Sequence, residues 1–120
     1  MYIESFKQLI VWQKAINLVK EIYKATNHFP NSELYGLVSQ MRRSAVSIPS
    51  NIAEGKKRKT RKDFVQFLRI ADGSASELET QIIISKDLYQ TTDFSKAEVL
   101  LQEVQIMLTV MIKKLETPIS

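Results

Sequence analysis

The stretch from Arg42 to Lys62 holds the residues with the clearest capacity for chemistry, because it concentrates positive charge. It contains eight of the 17 lysine and arginine side chains and a single carboxylate, Glu54. Its net charge is +7, whereas the remaining 99 residues, with nine basic and twelve acidic groups, sum to −3. A local positive patch of this kind indicates a polyanionic partner or an acidic protein surface. The candidate nucleic-acid-binding residues are Arg42, Arg43, Lys56, Lys57, Arg58, Lys59, Arg61 and Lys62.

Catalytic and metal-binding chemistry is not expected. The chain has no cysteine and one histidine, which excludes thiol catalysis and a zinc site of the usual kind. Glu77 and Glu79 come nearest to paired carboxylates, but residues two apart point in different directions on a helix. We therefore expect no enzymatic activity, no cofactor and no metal. Glu77 is assigned a structural role, either pairing with a basic residue such as Arg43 or facing water.

The positive stretch is open to three interpretations. A solvated turn explains one or two lysines that complement a helix dipole, but the others occupy the unfavourable N-terminal end of the next helix. Binding to RNA or DNA is favoured. It would be directed at phosphates and weakly sequence-specific, because no aromatic residue interleaves the basic run to stack on bases. The alternative is a homo-oligomeric scaffold that binds an acidic protein partner. No residue distinguishes RNA, DNA and hybrid ligands.

Length and composition predict one all-α domain over residues 1–120. Only three glycines and three prolines are available to punctuate a many-stranded sheet, whereas good helix formers are plentiful. No window reaches the roughly 18 consecutive apolar residues that a membrane span requires. The N-terminal residues do not have the pattern of a secretory signal. We therefore expect a soluble, cytoplasmic protein that does not insert into a membrane.

Hydrophobic spacing and capping signals predict four helices. The expected helices cover about residues 5–27, 32–54, 60–90 and 95–116. Ser5 with Gln8, and Ser95 with Glu98, have the spacing of capping boxes at the first and last helix starts. Pro118 is expected to end the last helix. Short turns make an antiparallel up-down-up-down four-helix bundle the economical topology.

Several residues within the helices are expected to shape their packing. Pro49 removes a backbone amide, so the second helix is predicted to be kinked there. Asn51 and Glu54 suit local hydrogen bonding around that kink. Gly55 is expected to form the C-terminal cap of the same helix. Gly73 is unfavourable inside a helix, which predicts that a neighbouring backbone approaches closely at that position.

The first helix carries two adjacent apolar stripes, which make a face too broad for one neighbouring helix. The stripes are Leu9, Trp12, Ile16, Val19 and Tyr23, and Val11, Ala15, Leu18 and Ile22. One interpretation is a helix packed between two others; the second adds an exposed apolar surface for self-association. In the second interpretation Leu18 belongs to the outer stripe. Its replacement by glutamate would then dissociate an oligomer before unfolding the subunit.

Three segments resemble a known family: VWQKA at residues 11–15, YGLVSQMRRSAVSIPSNIAEG at 35–55 and FLRIADGSASELETQ at 67–81. They are similar to the four-helix-bundle proteins encoded in intervening sequences of bacterial 23S rRNA genes. The resemblance implies a ring-shaped homopentamer and a relation to the accessory variability determinant of diversity-generating retroelements, a basic pentamer that binds nucleic acid and a reverse transcriptase. It implies no catalytic residue. The matching positions are Arg42, Arg43, Ser47, Ile48, Pro49, Asn51, Ala53, Glu54, Gly55, Gly73, Ser74, Glu77 and Glu79.

Overall fold

Four α-helices form the fold in the computed structural model, which describes residues 5–117. The helices are α1 (Ile10–Thr26), α2 (Ser39–Lys56), α3 (Arg61–Leu88) and α4 (Ser95–Glu116). No strand occurs in the described range, so the predicted all-α class is confirmed. None of its helices has the length and apolar character needed to cross a bilayer. Pro118 and the remaining ends of the expected domain lie outside the described residues.

One apolar core joins the four helices. α1 packs against α2 and α4, and α3 packs against the same two helices. Each helix places a large aliphatic side chain in the core with none of its surface exposed. These side chains are Leu18, Ile48, Leu78 and Leu108. The molecule measures 53 × 22 × 22 Å, so its length greatly exceeds its width.

The first helix begins at Ile10, later than the capping signal at Ser5 predicts. The Ser5 hydroxyl accepts a hydrogen bond from the Lys7 amide at 3.2 Å, but it caps a short 3₁₀ turn rather than α1. An extended Leu9 then separates this turn from α1. The extended residue lets the Phe6 ring meet the edge of Trp12, with centroids 5.4 Å apart. In a continuous helix, residues six positions apart would point to different sides.

The two apolar stripes of α1 are buried to different extents. The stripe that contains Val11, Ala15, Leu18 and Ile22 faces the core, and Leu18 is 0% exposed. The expectation that Leu18 belongs to an outer stripe is therefore corrected. A glutamate at this position would place a charge in an apolar interior, which would unfold the subunit rather than only dissociate an oligomer.

Non-helical backbone angles occur before Pro49 in the part of the chain that was predicted as the second helix. α2 continues through Pro49, which is buried, to Lys56. Before α2, the chain forms a 3₁₀ turn and then a π-helical segment, Leu34–Val38. Within that segment Gly36 has the non-helical angles φ −112° and ψ −113°. The non-helical backbone angles therefore lie at Gly36, and the kink expected at Pro49 stays a prediction.

Glu33 ties this π-helical segment to the end of α3. Its carboxylate accepts hydrogen bonds from the Leu37 amide at 3.4 Å and from the Tyr89 hydroxyl at 2.5 Å. The hydrogen bond to Glu33 raises the pKa of Tyr89 above its ordinary value of 10.0, and desolvation and the negative charge of Glu33 act in the same direction. Tyr89 consequently keeps its proton, and with it this contact, further into alkaline solution than an ordinary tyrosine does.

The roles expected of Gly55 and Gly73 are both corrected. Gly55 lies inside α2 rather than at its cap, and a Cβ atom there would lie 2.8 Å from Phe67 Cβ and 3.2 Å from the Phe64 carbonyl oxygen. Gly55 therefore marks a close approach of α2 to α3, at a position where a side chain would overlap with α3. A Cβ atom on Gly73 would meet nothing within 4 Å, so no neighbouring backbone lies close to it.

Asp93, rather than the expected pair of Ser95 and Glu98, accepts the hydrogen bond at the start of α4. Asp93 Oδ1 accepts from the Ser95 amide at 2.9 Å. Hydrogen bonds from the side chain and backbone of Ser95 lower the pKa of Asp93. Glu98 instead pairs with Lys86 of α3 at 3.0 Å. The carboxylate expected in a capping box therefore links two helices.

We predict that Gly55→Ala destabilises the fold by about 1–3 kcal/mol, because the added methyl group overlaps with α3. Gly73→Ala is the matched control, since it adds the same methyl group where the protomer has room. Its higher helix propensity should stabilise the protein by up to about 1 kcal/mol. Urea unfolding followed by circular dichroism would measure both changes. Equal effects would contradict a tight contact specific to Gly55.

Candidate nucleic-acid interface

The connection between α2 and α3 presents most of the predicted binding residues. We call six of them the basic turn: Lys56, Lys57, Arg58, Lys59, Arg61 and Lys62. Thr60 separates the first four residues of the basic turn from the last two. It caps α3, because its hydroxyl oxygen accepts a hydrogen bond from the Asp63 amide at 3.1 Å. Lys56 is half-buried and the other five side chains are exposed. The cap therefore fixes the backbone where the cations project into solvent.

Carboxylates compensate little of the charge on the basic turn. Arg58 Nη2 lies 2.6 Å from Glu54 Oε1, and its guanidinium lies over the Phe67 ring at 4.7 Å from the centroid. The other five basic side chains form no ion pair with any residue from 5 to 117. Between Glu54 and Asp63, six basic and two acidic residues leave a net charge of +4. The connection is therefore a concentrated source of positive potential.

Arg42 and Arg43 lie apart from the basic turn. Arg43 precedes Lys57 by 14 positions. At about 1.5 Å per helical residue, this separation is about 21 Å along α2. The stretch that forms one patch in the sequence is thus divided into two positive regions along the molecule.

Arg42 is held within the fold by three contacts. Its Nε donates to Thr26 Oγ1 at 3.0 Å, and its Nη2 donates to Asn27 Oδ1 at 3.1 Å. Its guanidinium also lies over the Tyr23 ring, 4.4 Å from the centroid. All three partners are neutral, so they position Arg42 without cancelling its charge. Arg43 is exposed and has no ion-pair partner in the described part of the chain.

A polar cluster joins α2 to α3 near Pro49. The hydroxyl groups of Ser47 and Ser74 lie 2.8 Å apart. Asn51 Nδ2 donates to the Ser47 carbonyl at 2.8 Å and to Ser47 Oγ at 3.0 Å. These contacts give Asn51 a local structural role beside the proline. The contact between the Ser47 and Ser74 hydroxyls also links α2 to α3 through a hydrogen bond.

The carboxylates of the Glu77–Glu79 segment do not converge. Glu77 is exposed and does not pair with Arg43, and Glu79 accepts a hydrogen bond from Gln105 Nε2 at 3.1 Å. Within residues 5–117, no group of three His, Cys, Asp or Glu side chains has an arrangement that could hold a metal ion.

An open groove beside Arg43 contains an aromatic residue that the sequence analysis did not select. The groove has a volume of about 630 Å³, and its lining includes Tyr23, Tyr35, Arg42 and Arg43. The Tyr35 side chain is almost fully exposed. A sequence signal was available, because Tyr35 lies only about two helical turns before Arg43. The basic run has no interleaved aromatic residue, but the tertiary structure places one beside its first two arginines.

We predict that Arg42→Gln destabilises the protein by about 1–3 kcal/mol, because it removes hydrogen bonds from a charged donor and the stacking on Tyr23. Arg43→Gln is the matched control. It removes the same charge from an exposed neighbour and should change stability by no more than about 0.5 kcal/mol. Urea unfolding would compare the two variants. Equal stabilities would contradict a structural role for Arg42.

Comparison with known proteins found a match to the family described as 23S rRNA-intervening sequence protein over residues 7–110. A solved structure of a protein with unknown function from the S23 ribosomal protein family of Bacteroides thetaiotaomicron is also similar. It has a TM-score of 0.70 and 23% sequence identity, and the alignment covers 90% of this chain and 100% of that chain. At this identity the likeness concerns the fold. Comparison with curated proteins found no match.

Proposed function

The chain belongs to the 23S rRNA-intervening sequence protein family, and we propose that it is a non-enzymatic oligomeric protein that binds RNA or DNA through its basic turn. Binding is directed at phosphates and depends little on base sequence. The observation that carries the proposal is the uncompensated charge of four exposed residues. They are Lys57, Lys59, Arg61 and Lys62. A phosphate backbone supplies the missing negative charge and releases counterions when it binds.

Stability gives little reason for this charge distribution. Lys56 lies in the last turn of α2, where a cation complements the helix dipole. Arg61 and Lys62 lie in the first turn of α3, where the partial positive charge of the helix end makes cations unfavourable. A bound phosphate reverses that penalty, because the helix end and the side chains then attract the same anion.

We propose an antiparallel up-down-up-down arrangement of the helices and a closed ring of subunits, with the number five taken from the family resemblance. Short connections and the contacts of α1 and α3 with the same two neighbours support the bundle. An exposed apolar surface on α1 and α4 supports assembly. It comprises Ile10, Ile106 and Val110, which border a groove of about 420 Å³. The lining of this groove contains no charged residue.

An acidic protein surface is the competing ligand, because carboxylates would also compensate the exposed lysines. A reverse transcriptase is the protein partner implied by the resemblance to the accessory variability determinant. Co-purification and direct titration with nucleic acid separate these proposals. Nucleic acid is favoured because phosphates repeat along a strand and can contact the basic turns of several subunits.

For assembly, light scattering at micromolar concentration should give a mass near five times 13.8 kDa. Ile106→Glu should lower that mass without removing the helices, because it places a charge in the exposed apolar surface. Gln90→Glu adds a charge at an exposed position outside that surface and should leave the mass unchanged. A monomeric unmodified protein would contradict the proposed ring.

For binding, the affinity should fall steeply with salt. If a bound segment neutralises about six phosphates, log K against log salt should have a slope of roughly −5 for duplex DNA and −4 for a single strand. Replacement of Lys57, Lys59 and Lys62 by Glu should nearly abolish binding at about 0.1 M salt, because it removes phosphate contacts and adds repulsion. Titrations with RNA, DNA and hybrid duplexes would measure these effects.

The matched control for this experiment replaces Lys20, Lys113 and Lys114 by Glu. It changes the net charge equally at exposed positions outside the basic turn, so most of the affinity should remain. Equal losses in the two variants would show that total charge, rather than the basic turn, determines binding. Failure of the unmodified oligomer to bind any of the three nucleic acids would exclude the proposal and favour the acidic-protein scaffold.

A further inference from the structure

The groove beside Arg43 is lined by several large apolar and aromatic side chains that are exposed to solvent. Tyr35 is 93% exposed, and Leu34, Val46 and Tyr23 are 47%, 41% and 41% exposed. All four residues line the same groove of about 630 Å³. A contiguous apolar surface in a concave site of this size is typical of a binding site.

The charges of the groove restrict the kind of ligand that it fits. Its lining contains Arg42 and Arg43 and no aspartate or glutamate. No negative charge compensates Arg42 at these contacts, because its partners Thr26, Asn27 and Tyr23 are neutral. Arg43 has no ion-pair partner within residues 5–117. A ligand that complements this groove therefore combines a flat apolar part with negative charge, as an unpaired nucleotide does.

The groove fits a second copy of the chain less well than it fits a nucleotide. A two-fold contact through this surface would bring the uncompensated arginines of two copies together, which is unfavourable, and a ring contact would need an acidic surface of the neighbouring subunit opposite them. The uncharged groove beside Ile10 and Ile106 offers a separate surface for self-association. Charge complementarity therefore favours a polyanion beside Arg43.

The backbone that carries Tyr35 is held in place before any ligand binds. Glu33, which directly precedes the π-helical segment, accepts hydrogen bonds from the Leu37 amide within the segment and from the Tyr89 hydroxyl at the end of α3. Val38, at the end of the segment, is buried in the core. An exposed ring on an anchored backbone is a preorganised stacking surface, because little backbone entropy is lost when a base packs on it.

We propose that this groove binds an unpaired base of single-stranded RNA or DNA, with Tyr35 as the stacking surface and Arg43 as the contact to an adjacent phosphate. The inference rests on the proposed nucleic-acid binding and adds a preference for unpaired strands. Arg43 lies about 21 Å along α2 from the basic turn. Even at the rise of about 3.4 Å per nucleotide that a strand has in duplex DNA, about six nucleotides span this distance, and an extended unpaired strand needs fewer.

The test compares two single strands of twelve nucleotides, one of thymidines and one of abasic sites with the same backbone. The unmodified protein should bind the thymidine strand about five- to 150-fold more tightly, the range expected for stacking of one base on an aromatic side chain. Tyr35→Ala should lose this preference but keep its affinity for the abasic strand. Tyr35→Phe is the matched control and should keep the preference, because it retains the ring. Anisotropy titrations near 0.1 M salt would measure all six affinities.

Different failures overturn different conclusions. Equal affinity of the unmodified protein for both strands would reject the groove as a base-binding site and leave phosphate-directed binding intact. Loss of the preference in Tyr35→Phe would reject stacking. A change in oligomer mass caused by Tyr35→Ala would identify the groove as a subunit contact and overturn the inference. Absence of binding to either strand and to any duplex would reject the proposed function and the inference together.

Discussion

The tight contact between α2 and α3 at Gly55 is the constraint on which the geometry of the basic turn depends. A side chain at this position would overlap with Phe67 Cβ and the Phe64 backbone of α3. Because Gly55 has no side chain, the two helices converge just before their connection. The residues of the connection therefore have no apolar space between the helices in which they could be buried. The basic side chains therefore project into solvent, and Arg58 alone folds back onto Glu54 and Phe67. Close packing and exposed charge are two consequences of the same helix crossing.

The two positive regions, the basic turn and the arginines near the start of α2, differ in the degree to which the protein orders them. At the basic turn, long side chains without partners act as mobile point charges, which suits contact with phosphates in any sequence context. At the start of α2, Arg42 is fixed by neutral acceptors and stacks on Tyr23. A fixed guanidinium with uncancelled charge, next to exposed aromatic surface, suits a more specific contact. The proposed function and the further inference assign these regions to the phosphates and the bases of one ligand.

Local sequence patterns were sufficient for the all-α class and the four helices, because both depend on residues a few positions apart. The helix starts at Ser5 and Ser95 show the limit of that reasoning. Ser5 and Gln8 have the spacing of a capping box, but the contact between Phe6 and Trp12 accompanies an extended Leu9. Glu98 has the spacing to complete another box, but a lysine on a neighbouring helix pairs with it. In both cases the departure from the predicted capping box coincides with a contact to a residue outside that four-residue motif.

The sequence by itself determined the amount of charge between Arg42 and Lys62, the apolar periodicity of the helices and the lack of thiol chemistry, since these follow from residue types and their order. The tertiary structure decided which of two apolar stripes on α1 enters the core, which glycine meets a neighbouring helix and which arginine is held by neutral partners. It also brought Tyr35 beside Arg43 in one groove. The physical reason is that burial and pairing are properties of two surfaces in contact, and the sequence of one helix specifies only its own surface.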